Sequence, residues 1–274
     1  MRFPLLAFAL VTLTPVAAVA QPKPPKGKPA CGVTLVPLVV GNQWTYGFVP
    51  PKDAATPEIA RIAPATPKGF VITVKNIETK GADTVVTLEE KLTYDYTKDP
   101  KKQNIEERIV NSTITCNAKK FDISPDSFFF AGEPGGYQGL TIDKLDRTGT
   151  CIQLVGGKIG EAEWPEDLVI LYSKKPFEKS NATLGSGKLE LERRFTPLES
   201  EDVMTKSMAY PKAEKLAVKT TGRVTLDKPL SADLKPMELP ADWTNILWFA
   251  PGTGIVQTLN RYAHQYQLVD SQLK

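Results

Sequence analysis

The feature that most constrains this chain is a two-residue alternation of apolar and polar side chains that recurs from Trp44 almost to the end. Successive side chains of an extended strand point to opposite faces, so positions two apart share one face. In Trp44-Thr45-Tyr46-Gly47-Phe48 the three aromatics therefore line one side. The pattern returns at Phe70, Ile72 and Val74, and at Val86, Leu88, Leu92, Tyr94 and Tyr96. It returns again at Leu189, Leu191 and Phe195, and at Leu216, Val218, Val224 and Leu226. No long segment places apolar residues three and four apart behind a capping residue, as an amphipathic helix would. Short helical pieces are expected only in 158–168 and 198–210, and each is weakened by a proline, Pro165 inside the first and Pro197 just before the second. Residues 245–250 and 255–269 read as two strands of a hairpin around the turn Pro251-Gly252-Thr253-Gly254. The expected fold is mainly β, an antiparallel curved sheet or half-barrel with few short helices.

The N-terminus sets the compartment. Met1-Arg2 precedes an apolar run over residues 3–20, which ends in Val16-Ala17-Ala18-Val19-Ala20. Small residues at Ala18 and Ala20 suit a signal peptidase, so residues 1–20 are expected to be a signal peptide removed before Gln21. Residues 21–31 form a Pro/Lys-rich linker, and residues 32–274 a single β-rich domain. Cys31 follows Lys28-Pro29-Ala30 rather than the end of the apolar run, so it is not expected to carry lipid. The protein is therefore expected to be exported, to the periplasm or the medium. The domain has two long connections, 50–68 and 124–165. The second holds Phe128-Phe129-Phe130, which would be costly to leave exposed and so implies an ordered cover.

Charge excludes one class of partner. The chain carries 34 Lys+Arg against 31 Asp+Glu, a formal +3. Losing Arg2 with the signal leaves 33 − 31 = +2. Only Lys23, Lys26 and Lys28 cluster, which is no footprint of a nucleic-acid binder. With one histidine and no Cys-x-x-Cys pair, a structural zinc site is not expected, and no cofactor is implied. Three cysteines, Cys31, Cys116 and Cys151, allow three single bridges in an oxidising compartment. The favoured one is Cys116–Cys151, because Cys31 adjoins the linker.

The usual catalytic patterns are missing. His264, the single histidine, alternates with Tyr262 and Tyr266 and reads as a strand residue packed between tyrosines. There is no Gly-x-Ser-x-Gly elbow, calcium loop or P-loop, and Gly156-Gly157-Lys158 lacks the spacing of the last. Glu89-Glu90 and Glu106-Glu107 are adjacent in sequence and so face opposite ways on a strand. Glu190 and Glu192 share a face with Lys188 and Arg194, as on a solvated strand. Asn111-Ser112-Thr113 and Asn181-Ala182-Thr183 match a glycosylation acceptor by chance.

Two residues break the apolar faces. Glu90 lies between Leu88 and Leu92, and Arg193 between Leu191 and Phe195. A buried charge is costly unless paired, so both are expected to point inward and to meet each other or another polar partner. The alternative is that they line an apolar cavity and orient a ligand head group. The lining would then comprise Glu90, Arg193, Trp44, Tyr46 and Tyr94.

The segments Pro37-Leu38-Val39-Val40-Gly41-Asn42-Gln43-Trp44-Thr45-Tyr46 and Trp248-Phe249-Ala250-Pro251-Gly252-Thr253-Gly254-Ile255-Val256 carry a resemblance. They are similar to the opening strand and closing hairpin of a set of poorly characterised exported bacterial β-domain proteins. Those proteins in turn resemble the half-barrels of periplasmic lipoprotein carriers. The resemblance implies a fold and no catalytic residue. This chain departs from it in lacking lid helices and a lipidation motif. Trp44, Trp248, Gly252 and Gly254 read as fold-determining. The expectation is an exported, non-enzymatic β domain binding an apolar or amphipathic ligand or an envelope partner. The alternatives are a secreted carboxylate-dependent hydrolase and a structural envelope protein.

Overall fold

The computed structural model describes residues 29–32, 34–50, 66–117, 120–135, 141–155, 158–173, 185–228 and 235–274. The expected signal peptide, most of the linker, most of the 50–68 connection, Gly156-Gly157 and Asn181-Ala182-Thr183 lie outside these residues.

The described residues form one antiparallel sheet of fourteen strands. In chain order the first half comprises β1 (Gln43–Val49), β2 (Gly69–Lys80), β3 (Asp83–Asp95), β4 (Ile105–Cys116) and β5 (Lys120–Ile123), then a single helical turn, α1 (Phe128–Ala131). Next come β6 (Thr141–Gly149), β7 (Ile152–Val155), β8 (Lys158–Ile159) and β9 (Trp164–Ser173). The remainder is β10 (Ser186–Met204), β11 (Ala209–Lys228), β12 (Met237–Ala250), β13 (Gly254–Leu259) and β14 (Gln265–Gln272). Their spatial order is β6-β9-β10-β11-β12-β13-β14-β1-β2-β3-β4-β5-β7-β8.

That order dictates a rolled sheet. β6 and β7 stand twelve places apart, which in a flat sheet is about 58 Å at roughly 4.8 Å per strand. Only Thr150 and Cys151 join them, a span of at most about 11 Å. The sheet must therefore curl until its two edges approach. No ladder among the described residues closes it, and Arg147 of β6 clasps the seam instead. Its guanidinium donates to the Ile123 carbonyl of β5 at 2.7 Å and lies 3.5 Å from Asp122.

The alternation maps onto inside and outside as the sequence implies. Trp44, Tyr46, Phe70, Ile72, Val74, Leu88, Leu92, Tyr94, Leu189, Leu191 and Phe195 all lie in one buried cluster. The segments at the two ends of the domain interlock. Trp44 Nε1 donates to the Thr253 carbonyl in the β12–β13 turn at 2.5 Å, and the Tyr46 hydroxyl donates to the Ile255 carbonyl at 2.7 Å. Gly252 and Gly254 have φ of 76° and 99°, conformations that favour glycine in that turn.

Several expectations are corrected. The two segments expected to hold helices are strands: 158–168 contains β8 and the start of β9, and 198–210 joins β10 to β11. Pairing across a long ladder outweighs local helix signals there. Residues 255–269 are two strands, separated by a turn at 260–264 that contains Ala263 at φ 58°. His264 therefore sits in the turn rather than on a strand. Its ring meets Phe48 edge-on at 5.6 Å, and burial lowers its pKa. The 124–165 connection holds α1 and three strands, of which β6 is mostly exposed and so carries little alternation.

The disulfide is Cys31–Cys116, with Cα atoms 5.8 Å apart, and not Cys116–Cys151. The end of the linker folds back on the domain: Ala30 N donates to the Leu38 carbonyl at 2.9 Å, and Leu35, Val36 and Leu38 are buried. That anchoring carries Cys31 to the end of β4. Cys151 is a buried free thiol at the seam.

Candidate functional site

The interior of the rolled sheet is occupied by the protein's own chain. After β5 the backbone turns inward, and α1 places Phe128, Phe129 and Phe130 in the core, each at most 2% exposed. Phe128 packs on Tyr46 and Phe70, both with ring centroids at 4.7 Å, and Phe129 meets Trp44 edge-on at 5.9 Å. The phenylalanine run is thus ordered, as a wedge inside the sheet rather than a cover over it. Serine and glycine shape its ends. The Ser127 side chain caps the turn by accepting from Phe129 N, and Gly132 at φ 65° donates from its N–H to the Phe128 carbonyl.

The two charges that interrupt the apolar strand faces hold the two ends of this wedge. Glu90 of β3 is fully buried and accepts from Phe128 N, at 3.0 and 3.1 Å to its two oxygens. It also accepts from the Ser112 hydroxyl at 2.9 Å, the Ser127 hydroxyl and the Gly135 N–H. Burial pushes its carboxyl up to about 7, and these hydrogen bonds oppose the rise. Arg193 of β10 donates to the Phe130 carbonyl at 2.5 Å and lies over the Phe130 ring, 3.8 Å from its centroid. Glu90 and Arg193 are both buried and both partnered, and they are joined through α1 rather than to each other.

The counter-ion of Arg193 is Glu166 of β9, directly opposite in register, at 2.9 Å. Arg147 supplies a second cation to Glu166 at 3.0 Å. Burial raises the Glu166 carboxyl, and Arg193 and Arg147 oppose it. Cys151 Sγ lies 3.7 Å from Arg193 Nη1, and burial lifts its thiol to about 11. A thiol so protonated and enclosed is a poor nucleophile at neutral pH. The sequence carried a signal for Glu166, which interrupts Trp164, Leu168 and Ile170 as Glu90 interrupts its own strand. Reading 158–168 as helical hid it. No comparable signal marks Arg147, which lies on a mostly exposed strand.

Of the five candidate lining residues, Trp44, Tyr46, Glu90 and Arg193 converge on α1. Tyr94 is buried in the same cluster, with Arg108 stacked on its ring at 4.4 Å and Tyr96 parallel to it at 6.0 Å. The other carboxylates considered for catalysis are engaged on the outside or at the rim. Glu89 meets Lys75, Glu106 meets Arg108, Glu107 meets Lys91, Glu190 meets Lys188 and Glu192 meets Arg194. Among the described residues, no group of three His, Cys, Asp or Glu is placed to hold a metal ion.

No protein-family profile matches the sequence, and no curated protein matches it. Two solved structures are similar in chain course. One is a Bacteroides fragilis protein classed as exported and as having a YmcC-like fold; at 12% identity the similarity covers 88% of this chain and 99% of that one, with a TM-score of 0.47. The other is a Parabacteroides distasonis protein classed as a lipoprotein, with the same identity and coverage and a TM-score of 0.49.

Proposed function

We propose that this chain is an exported, non-catalytic β scaffold that acts through its outer surface on a cell-envelope partner. One observation carries the reading: α1 buries three phenylalanines in the interior, where a half-barrel would hold a ligand, and Glu90 and Arg193 are spent on holding it. The signal-like N-terminus supports export, and so does a disulfide suited to an oxidising compartment. The test is native mass spectrometry of protein recovered from its own compartment. The expected species is residues 21–274 with one disulfide and no bound small molecule. A stoichiometric lipid adduct would refute the reading.

A second reading, binding of an apolar or amphipathic ligand, is favoured by the aromatic surface of Trp44, Tyr46 and Phe70 beneath α1. It requires α1 to withdraw. Replacing Phe128 and Phe129 with alanine would then create saturable binding of a fluorescent fatty-acid probe, and no binding would exclude it.

A further inference from the structure

Several long stretches of the sheet have no described strand on one side, among them 196–204 of β10, 237–245 of β12 and 105–113 of β4. β4 pairs with β3 over residues 105–116 in unbroken register, but with β5 only over residues 114–116. Thr113 shows which way the backbone groups point. Its carbonyl accepts from Ser124 N and its N–H donates to Ser124 Oγ, so both face away from β3. Strand groups alternate, so the N–H and C=O of Ile105, Glu107, Ile109 and Asn111 face the same way. Among the described residues no strand pairs with them. Ile105 and Ile109 are 52% and 61% exposed on the outer face.

Exposed edges of this kind are usually blunted by charged side chains, lysine above all, by proline or by a bulge. β4 has no proline, lysine or bulge over residues 105–113, and its three charges are already paired, Glu106 with Arg108 and Glu107 with Lys91. The other one-sided stretches differ, with Pro197 and an irregular ladder in β10 and Pro240 in β12; of the two terminal strands of the sheet, β6 is clasped across the seam by Arg147 and β8 has only two residues.

We propose that β4 pairs antiparallel with β4 of a second copy about a two-fold axis at Ile109. A two-fold pairing sets the axial residue against itself, and like charges directly opposite destabilise a ladder. Axes at 106 and 107 set glutamate against glutamate, and an axis at 108 sets arginine against arginine. An axis at 110 sets Glu107 against Thr113, whose backbone groups Ser124 already holds, and so keeps only four backbone bonds; at 109 the same conflict falls on the outermost pair alone, Ile105 against Thr113. The axis at Ile109 packs two isoleucines side by side and places Glu107 opposite Asn111 of the other copy. It completes six backbone hydrogen bonds through residues 107, 109 and 111. This surface is independent of the interior and does not rest on the function proposed above.

The test is sedimentation equilibrium of the processed chain, residues 21–274, with its disulfide intact, at 1–200 µM. A concentration-dependent dimer is expected, and Ile109→Cys should join two copies by a disulfide on mild oxidation. Charge changes at an exposed outer position separate pairing from folding. Asn111→Lys, facing Glu107, should tighten the dimer, and Asn111→Glu should weaken it by more than about tenfold. A monomer throughout that range would overturn the proposal. So would a dimer that ignores both changes at Asn111 and in which the Ile109→Cys chains stay unlinked after oxidation.

Discussion

Glu90→Gln should change how stability depends on pH, in a direction fixed by the burial of that carboxyl. In the folded protein Glu90 titrates at about 7 instead of 4.5, chiefly because it is cut off from water. The folded state therefore holds the proton more tightly than the unfolded chain between those values. Stability from this group is fully present below pH 4.5 and is lost as pH rises through about 7. At about 1.4 kcal/mol per pH unit the displacement amounts to about 3 kcal/mol. Glutamine keeps an oxygen to accept from Phe128 N and offers its NH₂ to the serine hydroxyls, so the wedge stays anchored. Asp126, Glu133 and Glu166 are also raised by burial, but they are common to both proteins and cancel in the difference. The two proteins should have similar stability at pH 4, and the variant should gain about 3 kcal/mol on the wild type by pH 8.5. Urea unfolding at a series of pH values measures this. A difference that stays constant from pH 4 to 8.5, or that moves against the variant, would refute the burial argument.

Other outcomes follow from the same geometry. Non-reducing peptide mapping should link Cys31 to Cys116 and leave Cys151 alkylatable only after unfolding. Replacing both bridged cysteines with serine should cost about 4–5 kcal/mol in the chain-entropy treatment, since the bridge spans 85 residues. Arg193→Leu should cost about 3 kcal/mol, because Glu166 keeps only Arg147 and the Phe130 carbonyl loses its guanidinium donor, and adding Glu166→Leu should recover part of that, as a double-mutant cycle reads out. Gly132→Ala should cost about 2 kcal/mol: the residue sits at φ 65°, and a Cβ there would come within 2.9 Å of Thr258 Cβ and closer still to Leu247. Thermal or urea unfolding checks it, and an unchanged midpoint would show that α1 does not press against β12 and β13.

The alternation by itself determined the class of fold, the inward faces of β1, β2, β3, β10 and β11 and the burial of Glu90 and Arg193. Side-chain period is a local property of an extended backbone, so Trp44, Tyr46, Phe70, Leu88 and Leu191 could be assigned to the core from their neighbours alone. The charge at Glu90 was legible for the same reason, as an exception to a local rule.

What those charges bind was decided only in three dimensions. Glu90 and Arg193 are 103 positions apart in the sequence, and no periodicity says that a turn of three phenylalanines enters between their strands. The partner of Arg193 depends on β9 lying beside β10 in one register, and a ladder joins residues through hydrogen bonds that local pattern does not encode. The same holds for the disulfide. Cys31 reached Cys116 because residues 35–38 are buried against the core, whereas spacing along the chain only counted the possible bridges. That no described strand flanks residues 105–113 of β4 is likewise invisible in its sequence, since an edge is defined by what lies beside it in space. Local pattern thus specified which side chains face inward, and the long-range pairing of the rolled sheet decided which of them meet.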